Sequence, residues 1–429
     1  MGTSRSRGRA AVRSAAVALV ALVLAACTGG GDPADDAGSS ITVGVEAGAP
    51  APEFYKSLGA EFTRETGIRV EFVDVPGESM HQTFLTDAVS GSGGFDVYDL
   101  DGPWISEFAS KGFLEPLSDR VPAEARDDFY PEALRSVSYE DQLYALPWLV
   151  QGPIVYYRTD LFQAAGIAGP PANLDEYRAI AEKLTDPATG VYGTVIEGKQ
   201  SAEAASQLND TLLQFGADLL DAGGRVQADS EQVKRAFDWM LGIQYEDRSS
   251  PPGAVAYDNG DAATMFLQGQ AAMVRNWPYM YALAKDPAQS QVSDRFAVAA
   301  QPGTNAVWSW SFGVSSSSEN KDAAARFVEW ATSTDVLTRL GEKTINPVPR
   351  QSAFTRLRGS TTLTDQDKQA LAVMTQAVDQ GRAVNMPPIY AEFRDRMAVA
   401  LSAIMTRQQT PDEALASAQA ELQSIVDGS

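Results

Sequence analysis

ITVGVEAGAPAPEFYKSLGAEFTRETGIRVEFVDV, Ile41 to Val75, changes its hydrophobic period twice. Ile41 to Val45 alternates as a strand. Between Pro52 and Thr66, Phe54, Leu58 and Phe62 recur at helical spacing, Gly67 is the stop, and IRVEFV alternates again. The cycle repeats with a helix from Ser79 to Val89, a strand FDVYDL from Phe95 to Leu100, and a helix through Lys111 that stops at Gly112. Strand, helix, strand, helix, strand predicts a parallel sheet with helices on both faces. Ligands of such sheets bind outside the carboxyl ends of the strands. Those ends carry Glu46 after the first strand and Asp101, Gly102, Pro103 and Trp104 after the third.

A second run of α/β alternation begins at LYALPWLVQGPIVYYRTDLF, Leu143 to Phe162, where Pro147 and Gly152-Pro153 punctuate an apolar strand. Asn173 to Glu176 opens a helix in the manner of a capping box, and Asp186 to Gly190 is a turn. Strands are expected at VYGTVI (191–196), Ala271 to Val274 and FAVAA (296–300), with helices over 201–214 and 230–245. VWSWSFGVS, Val307 to Ser315, is strand-like, and a helix follows from Glu319 to Thr332. After Arg350 the chain reads as wholly helical, with Ile389, Phe393, Met397, Leu401 and Ile404 in one stripe and a capping box at Thr410 to Glu413.

The ends and totals narrow the function class. Arg5, Arg7, Arg9 and Arg13 precede an apolar run, Ala15 to Val23, that Leu24, Ala25, Ala26 and Cys27 close. This resembles a bacterial lipobox, which implies that 1–27 is a lipoprotein signal peptide, cleaved before Cys27, with lipid on that thiol. Residues 28–40, rich in Gly, Ser, Asp and Ala, are then a flexible tether to the outer face of the cell membrane. The chain holds one cysteine, so an intramolecular disulfide and a cysteine-based zinc site are excluded. Its formal charge of −22, which falls to −26 on loss of four leader arginines, disfavours nucleic acid and anionic lipid surfaces. Roughly 400 residues beyond the leader exceed what one core organises, so two lobes are expected.

Taken in order, FDVYDLDGPWISEFASKGFLEPLSD, LPWLVQGPIVYYRTDLFQAAGI, GQAAMVRNWPY, WSWSFGVSSSSENKDAAARFVEWATS and NPVPRQSAF resemble segments of the extracellular solute-binding proteins of bacterial ABC importers. The likeness is to the large carbohydrate-binding type that serves maltose, trehalose and polyols. It implies an α/β, two-lobe, periplasmic-binding-protein-like clamp with a three-segment hinge and a helical C-terminal region. Lobe 1 would comprise 41–147 plus 307–349, and lobe 2 would comprise 148–306 plus 350–429. The implied function is capture of a mono- or disaccharide or polyol between the lobes and delivery to permease subunits, by a monomer that needs no cofactor or metal.

A pyranose presents C–H faces that aromatic planes can cover and a hydroxyl edge that carboxylates, amides and arginine can bond. Trp104, Trp148, Trp277, Trp308 and Trp310 are the stacking candidates, each at an expected strand end or lobe crossing. Glu46, Asp101, Gln151, Asn276 and Arg350 are the hydroxyl-binding candidates. For each, a core or capping role competes with the ligand role. Asp101 in particular is placed to cap the helix at Pro103, and Arg350 to pair with an acid across the hinge. Glu203 and Asn209 lie where relatives of this type contact ligand, but SAEAASQLNDTL departs from the usual pattern.

Catalysis finds little support. His81 is the sole histidine, at a helix start, and reads as a surface or half-buried residue. No G-x-S-x-G elbow, H-E-x-x-H or P-loop pattern is present. Asp258 to Asp261 hints at calcium but lacks the rest of the loop, so a turn with a helix cap is expected there. The alternative function is a secreted carbohydrate-active enzyme that uses a carboxylate pair in the same cleft.

Overall fold

The computed structural model describes residues 39–221, 223–384 and 386–428; the leader, Cys27 and nearly all of the expected tether lie outside them. The strands are β1 (Ser40–Glu46), β2 (Arg69–Val75), β3 (Val97–Asp101), β4 (Ser138–Tyr139), β5 (Gln142–Leu143), β6 (Ala145–Gln151), β7 (Ile154–Arg158), β8 (Met273–Asn276), β9 (Phe296–Ala300), β10 (Ala306–Val314) and β11 (Arg382–Ala383). Ser40, the last residue expected in the tether, already pairs with Arg69.

β1 pairs with β2 and β3 in parallel, as the βαβαβ reading requires. The helix Pro50–Thr66 buries Phe54, Leu58 and Phe62 against this sheet, and Gly67 ends it at φ 80°, a left-handed conformation that suits glycine. β10 then joins antiparallel to β3 and also antiparallel to β6, so the first sheet is mixed. Residues 310–313 pair with both neighbours, which puts β3 and β6 on opposite edges of β10. A second sheet has the order β8, β7, β9, all antiparallel.

Two short passages connect the sheets. Gly152-Pro153 carries the chain from β6 to β7, and residues 301–305 carry it from β9 to β10. The passages lie close together, because a Cβ on Gly152 would stand 3.1 Å from the Ala306 carbonyl oxygen. Buried Asp210, on the helix Ala202–Gln214, accepts the Ala306 amide at 2.9 Å and so anchors the start of β10.

Three expectations need correction. VYGTVI forms only isolated bridges, Asp186 with Val191 and Tyr192 with Ala271; Thr194 instead gives its amide to the Ser249 carbonyl at 2.9 Å, outside any ladder. The strand expected at Ala271 to Val274 runs from Met273 to Asn276, so Arg275 and Asn276 belong to it. The region after Arg350 is not wholly helical, since β11 pairs in parallel with Ala306 and Val307. The last two helices do form as expected. Tyr390–Met405 buries Phe393, Met397, Leu401 and Ile404, and Thr410 and Glu413 exchange capping bonds.

Arg350 is a buried tie within this framework. Its Nε donates to the Thr332 carbonyl at 2.6 Å, its Nη1 donates to the Ala125 carbonyl at 2.9 Å and to Asp128 at 3.2 Å, and its guanidinium lies 3.9 Å over the Phe129 ring. Replacement by Met strands those acceptors. Arg350→Met is expected to lower unfolding free energy by about 3 kcal/mol in urea titration while leaving the denaturant slope unchanged.

Candidate functional site

The strand directions bring the expected site residues to one edge of the first sheet. β1, β3 and β6 run the same way, so Glu46, Asp101 and Gln151 end at a common margin. β10 runs oppositely, so its early residues Trp308 and Trp310 arrive at that margin. Trp308 pairs with Gln151, and Trp310 pairs with Asp101 and Leu149. Two residues apart on a strand, the two indoles share a face.

Trp310 is half-buried between Trp104, at a ring distance of 6.0 Å, and Trp148, at 6.4 Å. Trp148 belongs to the packing beneath: its Nε1 donates to Asp99 at 2.8 Å, and its ring meets Tyr55 and Phe312. Trp308 meets Trp277 edge to face at 6.2 Å and Tyr390 at 6.3 Å. Trp277 follows β8, and Tyr390 opens the helix Tyr390–Met405, so three separate parts of the chain meet at Trp308.

The indole N–H groups separate these tryptophans. Those of Trp148, Trp239 and Trp330 donate to Asp99, the Leu174 carbonyl and Glu65. The buried N–H groups of Trp104, Trp277 and Trp308 have no acceptor among the described residues. A buried donor left unpaired costs about 1–3 kcal/mol, so such donors mark a place where a polar partner fits.

Asp101 sits at the N-cap position of the helix Gly102–Ser110 without a side-chain capping bond. Its Oδ2 accepts from Arg394 Nη1 at 3.0 Å, across 293 positions of sequence. Burial pushes the Asp101 carboxyl up, and Arg394 opposes that rise. Arg394 lies one helical turn after Tyr390 on the same face, and its buried Nε has no acceptor. Neither residue stood out in the sequence, where the regular apolar stripe beside them drew the reading. The available signal was an arginine one helical turn after Tyr390, bordering that stripe.

Glu203 completes the group. The helix Ala202–Gln214 begins at Ser201, whose side chain caps it, and this sets Glu203 in the first turn. Its side chain is exposed by area, yet surrounding protein pushes its carboxyl up to about 7, with Asp101 and Glu46 adding to the rise and Arg394 opposing it. Burial, then Asp101, also raises Glu46, whose Oε1 would be 2.7 Å from a Cβ on Gly77. Gly77 opens the helix Gly77–Ser90, so the carboxylate lies at a helix N-terminus.

The remaining candidates have structural partners. Asn276 is fully buried, donates to the Asn259 carbonyl at 2.8 Å and accepts the Trp277 amide at 2.7 Å. It holds the turn that presents Trp277. Arg350 is engaged by Thr332, Ala125 and Asp128 as described. Asn209 is buried with an unpaired Nδ2. His81 is half-buried and bonded to Glu107 at 2.7 Å, with its ring 5.2 Å from Trp104. Asp258 and Asp261 form a capping box, as expected of that turn. Among the described residues no group of three or more His, Cys, Asp or Glu could hold a metal ion.

Comparison with known proteins gives the family and the fold. Residues 48–337 match the family described as bacterial extracellular solute-binding protein. A mannitol-binding protein of Pseudomonas aeruginosa is 30% identical over 67% of this chain and 68% of its own length. Among solved structures, a maltose-bound MalE3 of T. maritima superposes with a TM-score of 0.81 at 26% identity, covering 90% of this chain and 100% of that one. A solute-binding protein of Agrobacterium radiobacter K84 in complex with ribitol gives 0.80 at 26% identity, covering 91% and 99%. The fold is that of these two-lobe proteins.

Glu203 and Asp210 make the fold sensitive to pH. Both have raised folded-state values, about 7 for Glu203, chiefly through burial and then Asp101, and about 6 for Asp210, chiefly through burial. Their stabilising contribution is complete below the ordinary carboxylate range and is lost as pH rises through those values. The melting temperature at constant ionic strength is therefore expected to fall from pH 5 to pH 8. Glu203→Gln is expected to flatten the upper half of that profile, as calorimetry would show.

Proposed function

The chain belongs to the bacterial extracellular solute-binding proteins, and from that premise we propose that it captures a mono- or disaccharide or a polyol between two lobes and delivers it to an ABC importer permease. The observation that carries the carbohydrate reading is the set of buried, acceptorless indole N–H groups of Trp104, Trp277 and Trp308 beside the Asp101–Arg394 pair. Rings with free donors, next to charged hydrogen-bonding groups, match the flat C–H faces and hydroxyl edge of a sugar or polyol.

The proposed ligand contacts are Glu46, Asp101, Trp104, Gln151, Trp277, Trp308 and Trp310, joined by Glu203, Tyr390 and Arg394. Trp148, Asn276 and Arg350, which the sequence also suggested, act from behind by holding Trp310, the Trp277 turn and the framework. The proposed lobes are 41–147 with 307–349 and 148–306 with 350–429. Support for that division comes from the two sheets and the short passages between them. A ligand touching both lobes favours closure by its difference in affinity for the two states, whereas one touching a single lobe does not.

The family is extracytoplasmic. We further propose a monomer held at the outer face of the cell membrane by lipid on Cys27, a reading that rests on the Leu24 to Cys27 sequence. The protein returns its ligand unchanged.

A thermal-shift screen of the purified protein against neutral sugars and polyols tests the central reading. A true ligand at 100 times its dissociation constant should add about 2.7 kcal/mol of stability, and chromatography after denaturation should recover it intact. Consumption of the sugar would instead establish an enzyme. Trp277→Phe keeps the ring but deletes its donor, and is expected to weaken binding roughly three- to tenfold; unchanged affinity would remove Trp277 from the site.

A further inference from the structure

Asp210 does more than anchor the start of β10. It is fully buried in the second half of the helix Ala202–Gln214, and its two oxygens are bonded from opposite ends of one passage between the sheets. Oδ2 accepts from Gln301 Nε2 at 2.5 Å, just after β9 ends, and Oδ1 accepts the Ala306 amide at 2.9 Å, where β10 begins. A carboxylate accepts at both oxygens, so one side chain closes the loop 301–305 as a clip. Bonds to a charged acceptor are the stronger kind, and Arg275 Nη1 stands 3.8 Å from Oδ2 as a countercharge.

The loop is held along its length as well. Gly303 turns at φ 87°, a left-handed conformation, and a Cβ there would lie 3.6 Å from Gln214 Cγ, on the same helix as Asp210. On its other side, Asn305 Nδ2 donates to the Ala377 carbonyl at 3.1 Å, and the Asn305 carbonyl accepts the Arg382 amide at 2.9 Å. Ala306 and Val307 then pair with β11. These partners, Asp210, Gln214, Ala377 and β11, all fall in the proposed second lobe. β3, which lies wholly in the proposed first lobe, pairs with β10 only from Trp310 onward. A glycine-bearing loop between two sheets is an ordinary place for a hinge, but this one is fastened at both ends to one side.

We propose that Asp210 is a positioning residue of the clamp: it makes 301–305 travel with the second lobe as one piece and confines bending of this crossing to β10 between Val307 and Trp310. The proposal rests on the two-lobe reading and goes beyond it by assigning which residues flex and which do not. Trp308 lies inside the bending segment and meets Trp277 and Tyr390. A ligand packed on Trp308 therefore restrains the bend directly, which couples occupancy to closure at a single residue.

Small-angle scattering and amide exchange, both on the unliganded protein, test this. Asp210→Ala removes both acceptors and is expected to enlarge the radius of gyration in protein that far-UV circular dichroism and a cooperative melt show to be folded. Asp210→Asn keeps an acceptor for Ala306 and turns an amide toward Gln301, whose unpaired Oε1 can accept it, so the wild-type radius is expected to return. Gln301→Ala leaves the Ala306 bond in place, yet is expected to speed exchange of the Ala306 amide about tenfold because it frees the other end of the loop. An Asp210→Ala protein with the wild-type radius overturns the proposal, and so does wild-type exchange at Ala306 in Gln301→Ala, which decides alone where Asp210→Ala does not fold. An enlarged radius that Asp210→Asn fails to restore also overturns it, by tracing the effect to charge beside Arg275. The two-lobe reading fails on a different result: a sugar or polyol that stabilises the wild-type protein in the thermal-shift screen but leaves its scattering profile unchanged.

Discussion

The backbone ladder of β10 is the constraint on which the site depends. Residues 306–314 pair with β11, β3 and β6, so this strand cannot shift register without disturbing three neighbours. Its sequence suits that position. Trp308 and Trp310 fill one face, while Ser309 and Ser311, both fully buried, occupy the other. There Ser309 accepts from Ser136 at 2.8 Å, and a Cβ on Gly102 would stand 3.3 Å from its Oγ. Large residues on one side and minimal ones on the other let a helix approach the strand closely while two indoles are pushed toward the margin where Glu46, Asp101 and Gln151 end.

Much of the fold was legible because its decisive segments obey one period at a time. Phe54, Leu58 and Phe62 lie on one helical face, the strands on either side alternate, and glycines stop the helices, so the βαβαβ reading follows from burial of one face per element. VYGTVI misled because alternation describes side chains only. Its amides bond to the 249 region and to 270–273 as isolated contacts, and no ladder forms. Short β11 carried no periodic signal, since two residues cannot display one.

Legibility of the site was uneven for a related reason. Chemistry exposed at strand ends, such as Glu46, Asp101 and the tryptophans, stands out from a background of apolar strands. Tyr390 and Arg394 do not, because they share a helix with Phe393, Met397 and Leu401, whose packing accounts for the pattern by itself. Asn276 shows the opposite case. It is polar, sits at a strand end beside Trp277, and yet spends both ends of its amide on the turn. Residue type and position told where hydrogen bonds are needed, and only geometry told whether protein or ligand makes them.

The electrostatics and the proposed clamp belong to one energetic argument. Burial raises the carboxyls of Glu46, Asp101 and Glu203, and the charge of Asp101 adds to the rise at Glu46 and at Glu203, so packing at this margin disfavours their charged forms. Arg394 offsets part of that rise at Asp101 and at Glu203. In the proposed clamp, a ligand that hydrogen-bonds these carboxylates while touching both lobes gains affinity for the closed state specifically. Differential affinity of this kind is what shifts a conformational equilibrium. In that reading the acids at this margin couple occupancy to shape, while Lys199 stays engaged with Asp258 and Arg275 with Thr211 and Gln214.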